Sequence, residues 1–255
     1  MNAIIIAGGQ GLRMRPLTES CPKCFLPVGD KKIIDWLLKS LKEGGVDKIS
    51  LVTGYKGELI RGNYPELNFY DDSQYLKSSI LRGLFCAQKE MFGPFIASYS
   101  DIIYSSDIIK KIVVSKSDFS IVVDKNFKPK YDGRILHPLS EAEKVVIKNG
   151  KIFKIGKNVS NSESNGEFIG LAKFSANGAK TAVKIYNNLL KKLAGKPFQA
   201  AREFEKAYLT DFFQELIDRG YEIKPVFIND DWVEMDTIED LEKARKYLSK
   251  IEQFF

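Results

Sequence analysis

An α/β fold is what the sequence predicts: a mostly parallel mixed sheet flanked by helices, with a small inserted β lobe. Three observations lead there. Apolar β-branched runs such as Ala3–Ala7 are continuous, as in strands buried on both faces. Through the first half such runs alternate with stretches of helical period, which calls for crossovers between parallel strands. After about residue 128 the pattern changes to a hairpin around Asn149-Gly150, a dipeptide suited to a two-residue turn.

The elements follow in order. Ala3–Ala7 is a strand that runs into a glycine-rich loop. Ile33–Leu41 has helical spacing and stops at Gly44-Gly45, a fitting C-cap. Strands are expected at Lys48–Thr53 and Asn68–Tyr70, a helix at Leu76–Gln88, and a central strand at Phe95–Tyr99 that stops at Ser100-Asp101. A helix at Ser106–Val114 and a strand at Phe119–Asp124 close the first half. Tyr131–Leu139 reads as loop. Lys144–Lys148 and Lys151–Ile155 form the hairpin, and Phe168–Phe174 is a further strand. Ala179–Leu193 and Ala201–Arg219 read as helices, Tyr221–Val226 and Trp232–Met235 as strands, and Ile238 to about Ser249 as a last helix. The expected organisation is a single domain over residues 1–255, with a first half at 1–128 and a second half with closing helices at 129–255.

Composition narrows the classes. The 255 residues are 44% hydrophobic and 28% charged, enough for a sizeable core. The net charge of +6 is spread along the chain with no block of five like charges, so nucleic acid is not an expected partner. No apolar stretch approaches the ~20 residues of a membrane span. Cys21 and Cys24 have C-x-x-C spacing, but there is no second pair and His137 is the sole histidine, which argues against zinc. The odd cysteine count and an N-terminus without a basic leader fit a reducing compartment, the cytoplasm. A homodimer is compatible with all of this.

The chemistry starts in the loop Ala7-Gly8-Gly9-Gln10-Gly11-Leu12-Arg13-Met14-Arg15-Pro16-Leu17-Thr18, followed by Pro22-Lys23. Glycines let the backbone turn tightly and bring N–H groups against an anion. Arg13 can chelate phosphate oxygens and Lys23 adds a point charge. The loop lacks the third glycine of the dinucleotide fingerprint and the Gly-Lys-Ser/Thr of a P-loop. Asp101 ends an apolar strand, and so does Asp236 in Trp232-Val233-Glu234-Met235-Asp236-Thr237. Carboxylates at the carboxyl ends of such strands sit at the binding edge, where a pair suits Mg²⁺ on a phosphate. Each aspartate has an alternative reading as a helix cap.

The run G-G-x-G-x-R-M-x-P-L-T followed by P-K resembles the signature of the sugar-phosphate nucleotidyltransferase superfamily, which includes the phosphocholine and phosphonate cytidylyltransferases. The resemblance implies a Rossmann-like fold of the nucleotide-diphospho-sugar transferase type. It implies that Ala7, Gly8, Gly9, Gly11 and Leu12 hold the base and triphosphate with Arg13 and Lys23, and that Asp101 and Asp236 hold Mg²⁺. Leu12 departs from the family, which usually has Ser or Thr there. Lys157, after the hairpin, matches a lysine that reaches the acceptor phosphate. Gln74 and Ser79, in a segment similar to the choline-phosphate and 2-aminoethylphosphonate enzymes, are candidates for the pyrimidine edge, with Ser100 beside the metal aspartate. Ser78 and Ser79 have an alternative reading as helix caps.

The acceptor site is expected to draw on Tyr131, Arg134, His137 and Glu167, with Asp211, Trp232 and Glu234. Arg134 and His137 suit a phosphate or phosphonate; Tyr131, Trp232, Asp211 and Glu234 suit an ammonium. The leading expectation is a Mg²⁺-dependent cytidylyltransferase that joins CTP, or another NTP, to a small amine-bearing phosphate or phosphonate. A sugar-1-phosphate nucleotidyltransferase using UTP, GTP or dTTP is the second reading, and a catalytically silent nucleotide-binding subunit the third.

Overall fold

The computed structural model describes residues 1–246 together with Ser249, Glu252 and Gln253. The strands are β1 (Asn2–Ala7), β2 (Pro27–Val28), β3 (Lys31–Lys32), β4 (Lys48–Thr53), β5 (Asn68–Asp71), β6 (Phe95–Tyr99), β7 (Ile102–Tyr104), β8 (Phe119–Asp124), β9 (Lys144–Lys148), β10 (Lys151–Gly156), β11 (Gly166–Phe174), β12 (Ile223–Ile228) and β13 (Trp232–Glu234). The helices are α1 (Ile33–Glu43), α2 (Gly57–Asn63), α3 (Ile80–Cys86), α4 (Ser106–Val113), α5 (Ala176–Leu193), α6 (Leu209–Asp218) and α7 (Ile238–Lys246).

The main sheet runs β10-β9-β11-β6-β1-β4-β5, with β8 on β11 and β12 on β8. β1 lies between β4 and β6, both parallel to it, and every residue of β6 and β8 is buried. That double-sided burial is why these segments read as unbroken apolar runs. β11 runs antiparallel to β6, β8 and β9, which makes the sheet mixed. Its register shifts between Phe168 and Ala172, where Gly170 has φ +83°. A Cβ there would lie 2.4 Å from the Tyr99 ring, so glycine is required for the approach of the two strands.

Two predicted helices are shorter than their periodicity suggests. The Leu76–Gln88 segment is helical only over Ile80–Cys86, and Gln74–Ser79 turns around Asp72 instead. The Ala201–Arg219 segment is helical only from Leu209, after a bridge between Phe198 and Ala201 and a tight turn at Phe204–Lys206. Both N-terminal stretches support cavity walls through turns, and their apolar spacing coincides with helical spacing by composition. The hairpin at Asn149-Gly150 is present, with both residues at positive φ. For the last helix, the expected extension over Tyr247 and Leu248 lies outside the described residues. None of the described helices is long and apolar enough to cross a membrane.

Besides the main core, Met14, Leu26, Ile33, Trp36, Ile103, Met235 and Leu241 pack as a separate apolar cluster. It joins the glycine-rich loop, β7 and the start of α7, and so fixes three chain-distant segments behind one edge of the sheet.

Candidate functional site

The carboxyl ends of the parallel strands converge: Ala7 pairs with Thr53, and Ile6 with Tyr99. A cleft of about 740 Å³ opens on that edge. The loop after β1 forms one wall. Gly11 is left-handed (φ +61°), and a Cβ on it would come within 3.1 Å of Thr18 and 3.2 Å of Lys23. Thr18 Oγ1 donates to the Gly11 carbonyl at 2.8 Å, and the Tyr55 amide donates to the Gly8 carbonyl at 3.1 Å. Met14, fully buried, anchors the far end of the loop. Leu12 is exposed and opens a short 3₁₀ turn through Met14.

β7 and β13 bring the two aspartates together. They pair antiparallel, Glu234 facing Ile102, and the Met235 amide donates to the Asp101 carbonyl at 2.9 Å. Lys23 Nζ then bridges the carboxylates, 2.7 Å from Asp101 Oδ2 and 2.5 Å from Asp236 Oδ1. Arg13 lies 2.8 Å from Asp236 Oδ2, as does Nδ1 of His137. That same Nδ1 is 2.9 Å from Arg13, so it cannot donate to Asp236 and accept from Arg13 at once. Burial alone would raise the Asp236 carboxyl; Lys23, His137 and Arg13 outweigh it and hold the group well below the usual carboxylate range. Burial likewise opposes the Lys23 charge, and Asp101 and Asp236 hold its pKa above that of an ordinary lysine.

Neither aspartate is spent on a helix. Asp240 takes the amides of Asp236 and Thr237 at 3.1 and 2.9 Å, which leaves the Asp236 carboxylate to the cations. Asp101 Oδ1 is buried and has no hydrogen-bond partner among the described residues. An orphaned carboxylate oxygen next to a second carboxylate fits a divalent cation. His137, Glu234 and Asp236 also offer ligand atoms within 4.8 Å of one another.

A second cavity of about 90 Å³ shares Arg13, Asp101, Lys157 and Asp236 with the cleft. Three glutamates line it: Glu143 and Glu167, both buried, and the half-buried Glu234. Burial pushes the Glu143 carboxyl up to about 8, against the pull of Lys157 and of the Tyr99 hydroxyl, which donates to Glu143 Oε2 at 3.0 Å. Burial and the Asp236 charge push Glu234 up to about 8, opposed by Arg134. Glu167 is raised well above the ordinary range by burial and by Glu234, while Tyr131 donates to its Oε1.

Most of the residues expected from the sequence gather here. Ala7, Gly8, Gly9, Gly11, Leu12, Arg13, Lys23, Ser79, Ser100, Asp101, Lys157 and Asp236 line the cleft. Tyr131, His137, Glu167, Trp232 and Glu234 line the smaller cavity. Three expected residues do not line either. Gln74 sits in the turn capped by Asp72. Arg134 stands behind Glu234, bonded to it at 3.1 Å and to Asp240 at 2.8 Å. Asp211 accepts the amides of Tyr208 and Ala200 at the start of α6 and faces a different depression. Lys157 lies 2.9 Å from Glu141. Ser79 holds the N-cap position of α3 but makes no side-chain cap bond, and Ser78 donates to Asp72.

Glu143, Tyr99 and Asp72 are site residues that the sequence reading left without a role. A carboxylate inside the polar run Ser140–Lys144 looks solvated; only the strand beginning at Lys144 hints that Glu143 turns inward.

A family profile described as Nucleotidyl transferase matches residues 2–71. The CTP:phosphoglutamine cytidylyltransferase of Campylobacter jejuni is 34% identical over 252 residues, covering 95% of this chain and 98% of that protein. The 2-aminoethylphosphonate cytidylyltransferase of Lancefieldella rimae is 29% identical over 195 residues, 74% of this chain and 73% of that one. The solved inositol-1-phosphate CTP transferase of T. maritima superposes with a TM-score of 0.76 over 99% of this chain and 96% of its own, at 22% identity, a likeness of fold. Near-complete alignment with the C. jejuni protein at 34% identity, on a chain whose loop and paired aspartates stand at one sheet edge, places it: it belongs to the nucleotidyl transferase family and is a nucleotidyltransferase.

Proposed function

We propose that this enzyme transfers CMP from CTP to a small amine-bearing phosphate or phosphonate and releases pyrophosphate. The observation that carries this reading is the Lys23 bridge between Asp101 and Asp236, set between the glycine-rich loop and a cavity lined by glutamates. The cytidylyltransferases of C. jejuni and L. rimae support the choice of nucleotide.

Residues 1–128 carry the triphosphate wall and residues 129–255 the acceptor wall of one domain. Loop amides from Gly8 to Leu12 receive the phosphates, with Arg13 and Lys23 balancing their charge. Because Leu12 has no hydroxyl, backbone N–H groups alone serve that position. Asp101 and Asp236 would hold Mg²⁺, which when bound acts as a Lewis acid and charge clamp on the phosphates. An oxygen of the acceptor phosphate attacks the α-phosphorus in line. The new O–P bond forms as the α–β bridging bond breaks, and pyrophosphate leaves with the electron pair. Lys157 and His137 orient the acceptor phosphate. No protein nucleophile is required, so positioning and charge account for the rate.

Incubation with Mg²⁺, each NTP in turn and a panel of phosphorylated acceptors, read as pyrophosphate release, tests this. Turnover with CTP and an amine-bearing phosphate is expected. Turnover confined to UTP, GTP or dTTP with a sugar 1-phosphate would overturn it.

A further inference from the structure

We infer that the smaller cavity recognises a primary ammonium on the acceptor, held by the free carboxyl oxygens of Glu143, Glu167 and Glu234, with Glu167 setting the specificity. This rests on the proposed transfer to an amine-bearing phosphate and narrows it to acceptors whose nitrogen carries N–H groups.

The three glutamates line one space, yet each uses a single oxygen within the protein. Glu143 accepts from Tyr99 on Oε2, Glu234 accepts from Arg134 on Oε2, and Glu167 accepts from Tyr131 on Oε1. The remaining oxygen of Glu167, which is 3% exposed, has no partner among the described residues. That buried oxygen of Glu167 is costly unless a donor arrives, and the second oxygens of Glu143 and Glu234 accept no hydrogen bond among the described residues either. A primary ammonium has three N–H donors and one positive charge, and so meets that demand. Arg134 is the one guanidinium bonded to the trio among the described residues, and it is shared with Asp240. Burial keeps the carboxyls largely protonated, and an arriving ammonium supplies the positive charge that lets one of them ionise.

A quaternary ammonium would want open aromatic faces instead. The cavity's aromatic rings are engaged by the protein's own cations. Arg134 stacks 4.7 Å from the Tyr131 ring, Lys130 lies 5.0 Å from Trp232, and Lys157 lies 4.8 Å from Tyr208. Phe168 and Tyr99 pack edge-on against each other. A trimethylammonium would also leave the three carboxyl oxygens without donors.

The test is equilibrium binding by calorimetry of three acceptors that differ only in the head group: phosphoethanolamine, phosphocholine and 2-hydroxyethyl phosphate. Phosphoethanolamine is expected to bind about 10–100-fold more tightly than either of the others, the span of one or two charge-assisted hydrogen bonds. Glu167→Gln should erase that preference, and Glu143→Gln should weaken it. Equal or tighter binding of phosphocholine, no binding of phosphoethanolamine, or a preference that survives Glu167→Gln would overturn the inference. The wild-type comparison needs no variant to fold. Pyrophosphate release with CTP, measured on the same three compounds, separates the two claims. Turnover of phosphocholine or the hydroxyethyl compound in preference would overturn the ammonium site and leave cytidylyl transfer standing. Selective binding without CTP turnover would do the reverse.

Discussion

Lys23 shows how one side chain can be read at two levels. In the sequence it is a second positive charge after a glycine loop. In the structure it is half-buried and neutralises two carboxylates drawn from positions 101 and 236. Lys23→Met should therefore do two things. It should lower kcat/KM about 100-fold or more in the pyrophosphate assay, as expected when a preorganised charge is lost from a phosphoryl site. It should also leave Asp101 and Asp236 facing each other without their bridge, which lowers Tm in a melt recorded without metal. An active, equally stable variant would remove Lys23 from the machinery. Glu143 carries a pH signature. Its carboxyl is pushed from the usual 4.5 up to about 8 in the native state by burial. A raised native pKa gives stability that is fully present below the unfolded value and is lost as pH rises through the native one. Wild-type protein should thus lose stability relative to Glu143→Gln between about pH 4.5 and 8, the two being similar at pH 4.5 and below. A Tm difference that stays constant from pH 5 to 8.5 would show that Glu143 does not titrate in this window.

At the scale of elements, the bend in β11 couples the sheet to the glutamate-lined cavity proposed for the acceptor. Gly170 lets β11 cross Tyr99, and Tyr99 in turn donates to Glu143. Gly170→Ala would press a methyl group into the Tyr99 ring at a left-handed φ. The expected cost is about 1–3 kcal/mol, from strain and overpacking together. It should raise KM for the acceptor more than KM for CTP, because the displaced ring belongs to the glutamate cavity. Urea unfolding and paired KM measurements check both parts; an unchanged ratio of the two KM values would uncouple the bulge from the acceptor site. The β7–β13 pair does comparable work for the aspartates. Three residues on each strand suffice to align Asp101 with Asp236, since their register is set by Trp232 against Tyr104.

Across the whole molecule, the cleft is built from both halves of the chain: the loop after β1, the end of β6, and Pro138, Glu141, Lys157, Tyr208 and Asp236. Ligands that bridge those walls stabilise only the folded state. At a hundredfold excess over Kd, CTP with Mg²⁺ should add about 2.7 kcal/mol, a Tm rise on the order of 5–10 °C for a chain of this size. Asp101→Ala should abolish most of the Mg²⁺-dependent part of that rise while leaving the unliganded protein folded. An undiminished rise would show that Asp101 does not hold the metal.

Much of this was legible in residue order, and the reason is physical. Strands buried on both faces must be continuous apolar runs, so β1, β4, β6 and β8 stand out in the sequence. A backbone that must approach phosphates needs glycines followed by fixed cations, so the loop with Arg13 and Lys23 stands out too. Aspartates at strand ends are visible for the same reason, although their freedom from capping was not, because Asp240 takes that duty only once α7 is folded. What the tertiary structure alone decided is which polar side chains share a cavity. Asp211, from residue type, suits an ammonium; the fold spends it on the amides of Tyr208 and Ala200. Glu143, unremarked in a polar loop, is carried inward beside Glu167 and Glu234. Burial and hydrogen-bond partners are long-range properties, set by segments a hundred residues apart, and no local pattern encodes them. Residue order encodes a glycine-rich loop followed by fixed cations on an α/β sheet, because turn geometry and strand burial are short-range patterns; packing decides how two aspartates, one lysine and three glutamates are arranged around it.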